Sequence, residues 1–272
     1  GLDRALQATP EDADLRYQVM VLEAASGDLQ EAAATGDPLA VADGQRADEA
    51  RLVRVVADLA AGTPDAFAGL DAIDAETVPG LVRPLVRAWA DPDPAAAAAR
   101  LAEIDSRLSQ LLALHRVALL DAAGDVDGGL AVIAALDAEP AQLSDRLLVS
   151  QARLLARRGE TDAAQAMLRL GRSPATRSDI VVAALDALAA GTLPPPLIAT
   201  PATGMADALW GIADVLRSQR RPLHATLYTQ LALALAPDHA PAQLPLAALL
   251  DEQEGAAAAR AVLEGVDPAS PW

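Results

Sequence analysis

The side chains in this sequence with chemistry to offer are three histidines, 38 carboxylates and 21 basic residues, every one of the last an arginine. Lysine and cysteine are absent. Without lysine there is neither a Gly-Lys-Ser/Thr phosphate loop nor a Schiff-base amine. Without cysteine there is neither a disulfide nor a thiolate metal site. The histidines are His115, His224 and His239. Zinc sites on helices need histidines at helical spacing, and no two of these fall within five residues of each other. His224 and His239 sit at opposite ends of one predicted helix, roughly 20 Å apart at the α-helical rise, so they cannot share an ion. His115 lies mid-helix between Leu114 and Arg116, with no nucleophile or carboxylate close in sequence. It reads as a packed residue. Asp121, Asp125 and Asp127 have the look of a calcium loop but lack the spaced ligands and the terminal bidentate Glu. Turn and cap chemistry accounts for them. A dinucleotide glycine fingerprint and a Gly-x-Ser-x-Gly elbow are both missing. A pair of carboxylates suited to glycoside hydrolysis carries no signal in a chain so rich in acids. The expectation is a protein that is not an enzyme and holds no cofactor or metal.

The elements that must position these residues are helices. Hydrophobic residues make up 52% of the chain and aromatics only 2%, with Ala and Leu, the best helix formers, carrying most of the apolar content. Period-two runs of β-branched residues do not occur. A net charge of −17 makes phosphate backbones and anionic membrane surfaces poor partners. No apolar run reaches the length of a membrane-spanning helix.

Turn signals recur at Gly27-Asp28, Gly62, Gly124-Asp125 and Gly159-Glu160, 35, 62 and 35 residues apart. Asp91-Pro92-Asp93-Pro94 supplies a turn inside the longest gap. Small residues follow early in each second helix, at Ala32, Ala66, Gly129 and Ala164, where they permit close packing. The predicted helices are 12–25, 29–41, 46–61, 64–73, 77–90, 94–104, 106–122, 126–136, 142–158, 161–170, 175–190, 204–219, 222–235, 241–253 and 255–264. Between the last two groups runs Gly191-Thr-Leu-Pro-Pro-Pro-Leu-Ile-Ala-Thr-Pro201, whose prolines cannot continue a helix. It reads as a stiff connector lying across the array, with a proline ligand for a partner domain as the alternative.

This pattern resembles the tetratricopeptide repeat (TPR), about 34 residues long. The best match runs from Ala206, with Ala213, Ala225, Ala232 and Pro237 on the small-residue and proline positions. A second unit from Ala240 places Ala247 and Ala259. Earlier units are more divergent: Met20 stands where a small residue belongs. Near the start, Ala5 and Pro10 fit the tail of a second helix, and Pro268-Ala-Ser-Pro-Trp272 looks like entry into a further unit. Capping helices are absent from both ends, so the chain reads as an internal piece of a longer protein. The resemblance implies an all-α, right-handed solenoid of about seven to eight helix pairs. Its parts would be a divergent array over 1–190, a Pro-rich connector over 191–203 and a more regular pair over 204–272.

Beyond the repeat, the chain is similar to a longer exported repeat family of alphaproteobacteria. The likeness lies in Gly80-Leu-Val-Arg-Pro-Leu-Val-Arg-Ala-Trp-Ala90, Leu114-His-Arg-Val-Ala-Leu-Leu-Asp-Ala-Ala-Gly-Asp125 and Asp267-Pro-Ala-Ser-Pro-Trp272, and it implies a periplasmic home. In TPR arrays the first helices of successive units line a concave groove. Carried onto the unit near Asp145, the family's groove positions fall on Arg146, Arg153 and Arg157. In the unit from Ala206 they fall on Asp207, Trp210, Asp214 and Arg217. Guanidinium groups take carboxylates bidentately, so a peptide acid or C-terminus is the expected ligand, unless these arginines pair with neighbouring aspartates. Trp210 and Trp89 read as core fillers, with an exposed binding anchor as the alternative. The functional expectation is a scaffold for an envelope complex that binds a protein or peptide segment. The alternative is a carrier or sensor enclosing a lipid or other apolar small molecule.

Overall fold

The computed structural model describes residues 2–104, 108–253, 256–267, 270 and 272. Among them the chain is helical, with no strand. The α-helices are α1 (Leu2–Ala8), α2 (Ala13–Ser26), α3 (Leu29–Gly36), α4 (Gln45–Ala60), α5 (Val78–Ala90), α6 (Pro94–Ala102), α7 (Ser109–Ala123) and α8 (Val126–Ala134). They continue as α9 (Asp145–Arg157), α10 (Thr161–Gly171), α11 (Asp179–Ala189), α12 (Pro201–Ser218), α13 (Pro222–Leu235), α14 (Ala240–Gln253) and α15 (Ala256–Leu263).

Local chemistry sets the helix ends. Asp12, Asp93, Asp125 and Ser144 accept hydrogen bonds from free amides in the first turns of α2, α6, α8 and α9. The four glycine turn signals are left-handed caps, with φ of +94° at Gly27, +69° at Gly62, +83° at Gly124 and +88° at Gly159. Each closes with the same pair of bonds. At the first, Gly27 N–H donates to the Ala24 carbonyl and Asp28 N–H to that of Glu23. This double bond satisfies helix-terminal carbonyls and reverses the chain. The same closure occurs at Gly191 and at Arg220, a non-glycine at φ +59°.

The chain divides into two compact units, one formed by Gly1–Arg87 with Met205–Pro268 and the other by Ala88–Gly204 with Ala269–Trp272. In the first, α2 packs on α3, α3 on α4, and α14 on α15. Met20 is fully buried beneath Gly36, whose position leaves no room for a Cβ against the Met20 sulfur. Helix α13 packs on α14 and also on α2 and α4, so Leu227, Tyr228 and Leu231 share a core with Val19, Val21 and Leu52. A strictly sequential array would not bring residues so distant in the chain together.

In the second unit the hairpins α7–α8 and α9–α10 stack in sequence, α7 touching α9, and α11 packs on α9 and α10. Leu147, Leu148, Leu154 and Leu168 are fully buried there. A Cβ at Gly129 would lie 2.7 Å from Leu154 Cδ1, which explains the small residue early in α8.

Several predicted helices differ: the one over 29–41 ends at Gly36, the one over 175–190 begins at Asp179, and α1 forms where only the tail of a second helix is predicted. Residues 64–73 form a 3₁₀ helix, Ala66–Ala72; a Cβ at Gly69 would sit 2.9 Å from Val55 Cγ2, so this segment lies tight on α4. Helix α12 begins at Pro201, ahead of the predicted 204. Thr200 and Thr203 cap it reciprocally, each backbone N–H donating to the other's hydroxyl, which lets proline open the helix. Of the Pro268–Trp272 segment expected to enter another unit, residues 268, 269 and 271 lie outside the described residues. No described helix is long and apolar enough to cross a membrane.

Candidate functional site

Helix α9 carries Arg146, Ser150, Arg153 and Arg157 on one face, at spacings of four, three and four. Facing it, α7 presents Leu114, Val117, Ala118 and Asp121, again one stripe. Asp121, only 10% exposed, holds both lower arginines. Arg153 Nε donates to its Oδ2 at 2.8 Å. Arg157 donates to its Oδ1 and, at 2.7 Å, to its backbone carbonyl. These contacts fix the guanidinium of Arg153 so that its Nη1 donates at 2.6 Å to the carbonyl of Pro194.

That acceptor belongs to the proline-rich segment between α11 and α12. Pro195, Pro196, Leu197 and Ile198 complete the rim of a pocket whose floor is Leu114, Val117 and Ala118. Pro194 is buried and Ile198 is 4% exposed, while Pro195 and Pro196 face solvent. A non-helical piece of polypeptide, bent at Leu197 and Ile198, therefore borders the α7–α9 face, held there by the buried Ile198 and one arginine.

The other predicted site residues are placed differently. The Arg146 guanidinium stands 5.7 Å from the centre of the Trp272 ring, a cation–π distance. Trp210 is half-buried, its ring edge-on to His239 with centroids 6.2 Å apart. His239 Nε2 lies 3.5 Å from the fully buried Asp207. Asp214 and Arg217 form an exposed pair one turn apart on α12, at 2.5 Å. Thus Arg153 and Arg157 converge on one carboxylate, whereas Arg146, Trp210 and the Asp214–Arg217 pair each engage other neighbours.

Asp125 caps α8 through the Gly128 amide at 2.9 Å, and Asp127 meets Arg158 at 3.2 Å. The three loop aspartates thus serve a cap and contacts to three arginines. Among the described residues no group of three histidines or carboxylates is placed to hold a metal ion. His115 is fully buried in the second unit and accepts the Trp89 indole N–H on Nδ1 at 2.8 Å, the rings meeting edge-on. Trp89 is 5% exposed and fills the core.

A second polar cluster has no counterpart in the sequence reading. In the first unit the Tyr17 hydroxyl donates to Glu49 Oε2 at 2.5 Å, and Gln45 Nε2 to Oε1 at 2.6 Å. Gln45 Oε1 in turn accepts the Val78 amide. His224 Nε2 is 3.1 Å from the Tyr17 oxygen; since the tyrosine proton points to Glu49, this nitrogen carries its own hydrogen. Glu49 is 2% exposed. Burial, then the nearby Glu49 charge, hold the Tyr17 hydroxyl well above its ordinary range. Burial outweighs Glu49 at His224 and depresses its protonation, with Arg221 pushing the same way. Residues 17, 49 and 224 are too far apart in sequence for any spacing to signal them.

No family model and no curated protein matches the chain. The geometry alone must carry the functional reading.

Proposed function

We propose that the chain is a non-enzymatic interaction module of the tetratricopeptide kind, and that the α7–α9 face holds extended peptide segments. One observation carries the reading: a non-helical piece of polypeptide already borders this face, its Pro194 carbonyl taken by Arg153 and its Ile198 side chain buried at the pocket. Asp121 occupies the charged ends of Arg153 and Arg157. The ligand would therefore be read through main-chain carbonyls and apolar anchors, rather than through a terminal carboxylate. In this proposal residues 204–272 are a regular repeat pair beyond the 191–203 connector, and the setting is an exported, periplasmic assembly, as the family likeness implies. The lipid-carrier alternative draws less support. The hollow among α2, α13, α14 and α15 is an open groove lined by Ser26, Gln230 and Gln243 as well as leucines, not a closed apolar chamber.

The test is amide hydrogen exchange with a panel of synthetic extended peptides at millimolar concentration. Binders should protect α7 and α9 and lose at least tenfold in affinity in the Arg153→Glu, Arg157→Glu variant, provided its helicity is intact. Protection elsewhere only, or indifference to both charge reversals, refutes the assignment.

A further inference from the structure

We infer that residues 193–198 are a ligand held in cis, and that the groove's partner is a segment of another polypeptide built the same way: a proline, an aliphatic residue four positions later, and an exposed carbonyl at the proline. The inference rests on the peptide-holding reading of the α7–α9 face.

The way the segment is held separates it from ordinary connecting chain. Among the described residues no backbone hydrogen bond links 193–199 to the rest of the protein. Its one polar tie is the Arg153 contact to Pro194. Beyond it, Pro194 is buried and Ile198 is buried at the pocket, with Pro195 and Pro196 exposed at its rim. A proline run stiffens the free segment, which lowers the ordering entropy that opposes binding. The ends are secured independently, by the cap at Gly191 and the Thr200–Thr203 capping pair. The segment between can leave the groove without unwinding either helix.

Tethering sets the regulation. A short loop presents its segment at roughly millimolar effective concentration. With an intrinsic Kd of the segment for the groove of about 10 μM, occupancy in cis weakens apparent binding of any competing peptide about 100-fold. The groove is therefore closed to weak ligands and opens to a partner that brings a second contact or a high local concentration.

The probe is a fluorescent synthetic peptide of residues 191–200, titrated into the full chain and into a Pro194→Ser, Ile198→Ser variant that keeps the groove but loses both anchors. The variant should bind the peptide about 100-fold more tightly than the parent, and adding Arg153→Glu should abolish the gain. Equal binding by parent and variant, still abolished by Arg153→Glu, would leave the groove standing but overturn its closure in cis. No binding by either overturns both readings. A chain that dimerises by light scattering and excludes the peptide would give the groove to a second copy's connector and overturn the proposal. The parent chain lacks cysteine, so a Ser150→Cys, Leu197→Cys pair, both at the pocket, tests closure with the anchors intact. Oxidation should remove residual peptide binding and reduction restore it; binding unaffected by oxidation refutes closure.

Discussion

Replacing Gly204 by alanine sets two effects of similar size against each other. Gly204 lies in the first turn of α12, where alanine is the better helix former by about 1 kcal/mol. Its missing side chain is, however, the space taken by Trp89: a Cβ there would fall inside the indole, against Cδ2, Cε2 and Cγ. The ring cannot simply retreat, because it is 5% exposed and its N–H is committed at 2.8 Å to the fully buried His115. Overpacking of this kind costs about 1–3 kcal/mol, and a swing that unpairs the two buried polar groups adds about 1–3 kcal/mol. The helix gain is smaller than the sum, so Gly204→Ala should destabilise by about 1–5 kcal/mol in urea unfolding. Near-ultraviolet circular dichroism should report the displaced indole. In a Trp89→Leu background the same substitution should become neutral or stabilising, by up to about 1 kcal/mol. Additivity of the two substitutions within about 0.5 kcal/mol would refute the argument.

Three further outcomes follow from the backbone and from burial. Arg220 closes α12 at φ +59° in a position glycine fills in the other turns of this type; it is exposed, so Arg220→Gly should raise the melting temperature, by about 0.5–1 kcal/mol of stability, and a lower temperature counts against the strain. His224 titrates below its usual value in the folded chain because of burial, so the unfolded chain binds the proton first, near pH 6.5. Its contribution to stability is complete above that pH and is lost as pH falls through the folded value. His224→Gln should flatten this acid limb of the urea midpoint, and curves that run parallel below pH 6.5 would exclude the mechanism. Tyr17 has the opposite sign. Its raised value makes stability fall above about pH 10, and Tyr17→Phe should remove that part of the alkaline limb.

Much of the architecture was legible because it is local. Gly27, Gly62, Gly124 and Gly159 marked chain reversals because the left-handed cap tolerates few other residues, and Arg220 hid an equivalent turn by breaking that preference. Small residues at Ala32, Gly129 and Ala164 announced close helix contacts, all of them buried in the structure. Nothing local encodes the packing of α13 on α2, which depends on complementary surfaces of Val19, Val21, Leu227 and Leu231. The same holds for the Tyr17–Glu49–His224 cluster. At the candidate site, helical spacing placed Arg146, Arg153 and Arg157 on one stripe, but could not say that Asp121 would claim two of them. The prolines at 194–196 signalled stiffness. The placing of this segment along the α7–α9 face was visible only once α7 and α9 lay side by side.

The first unit takes its residues from both sides of the second, and α13 begins at Pro222. On the ribosome, α2 and α4 therefore emerge long before the helix that covers them. At about 5–20 residues per second, the stretch from Arg87 to His224 takes on the order of 10–30 s to synthesise. Through that interval the apolar faces bearing Val19, Val21 and Leu52 wait uncovered, while the uninterrupted run Ala88–Gly204 is free to fold first. A nascent chain of this design has reason to engage a chaperone early and to release it only when α13 arrives.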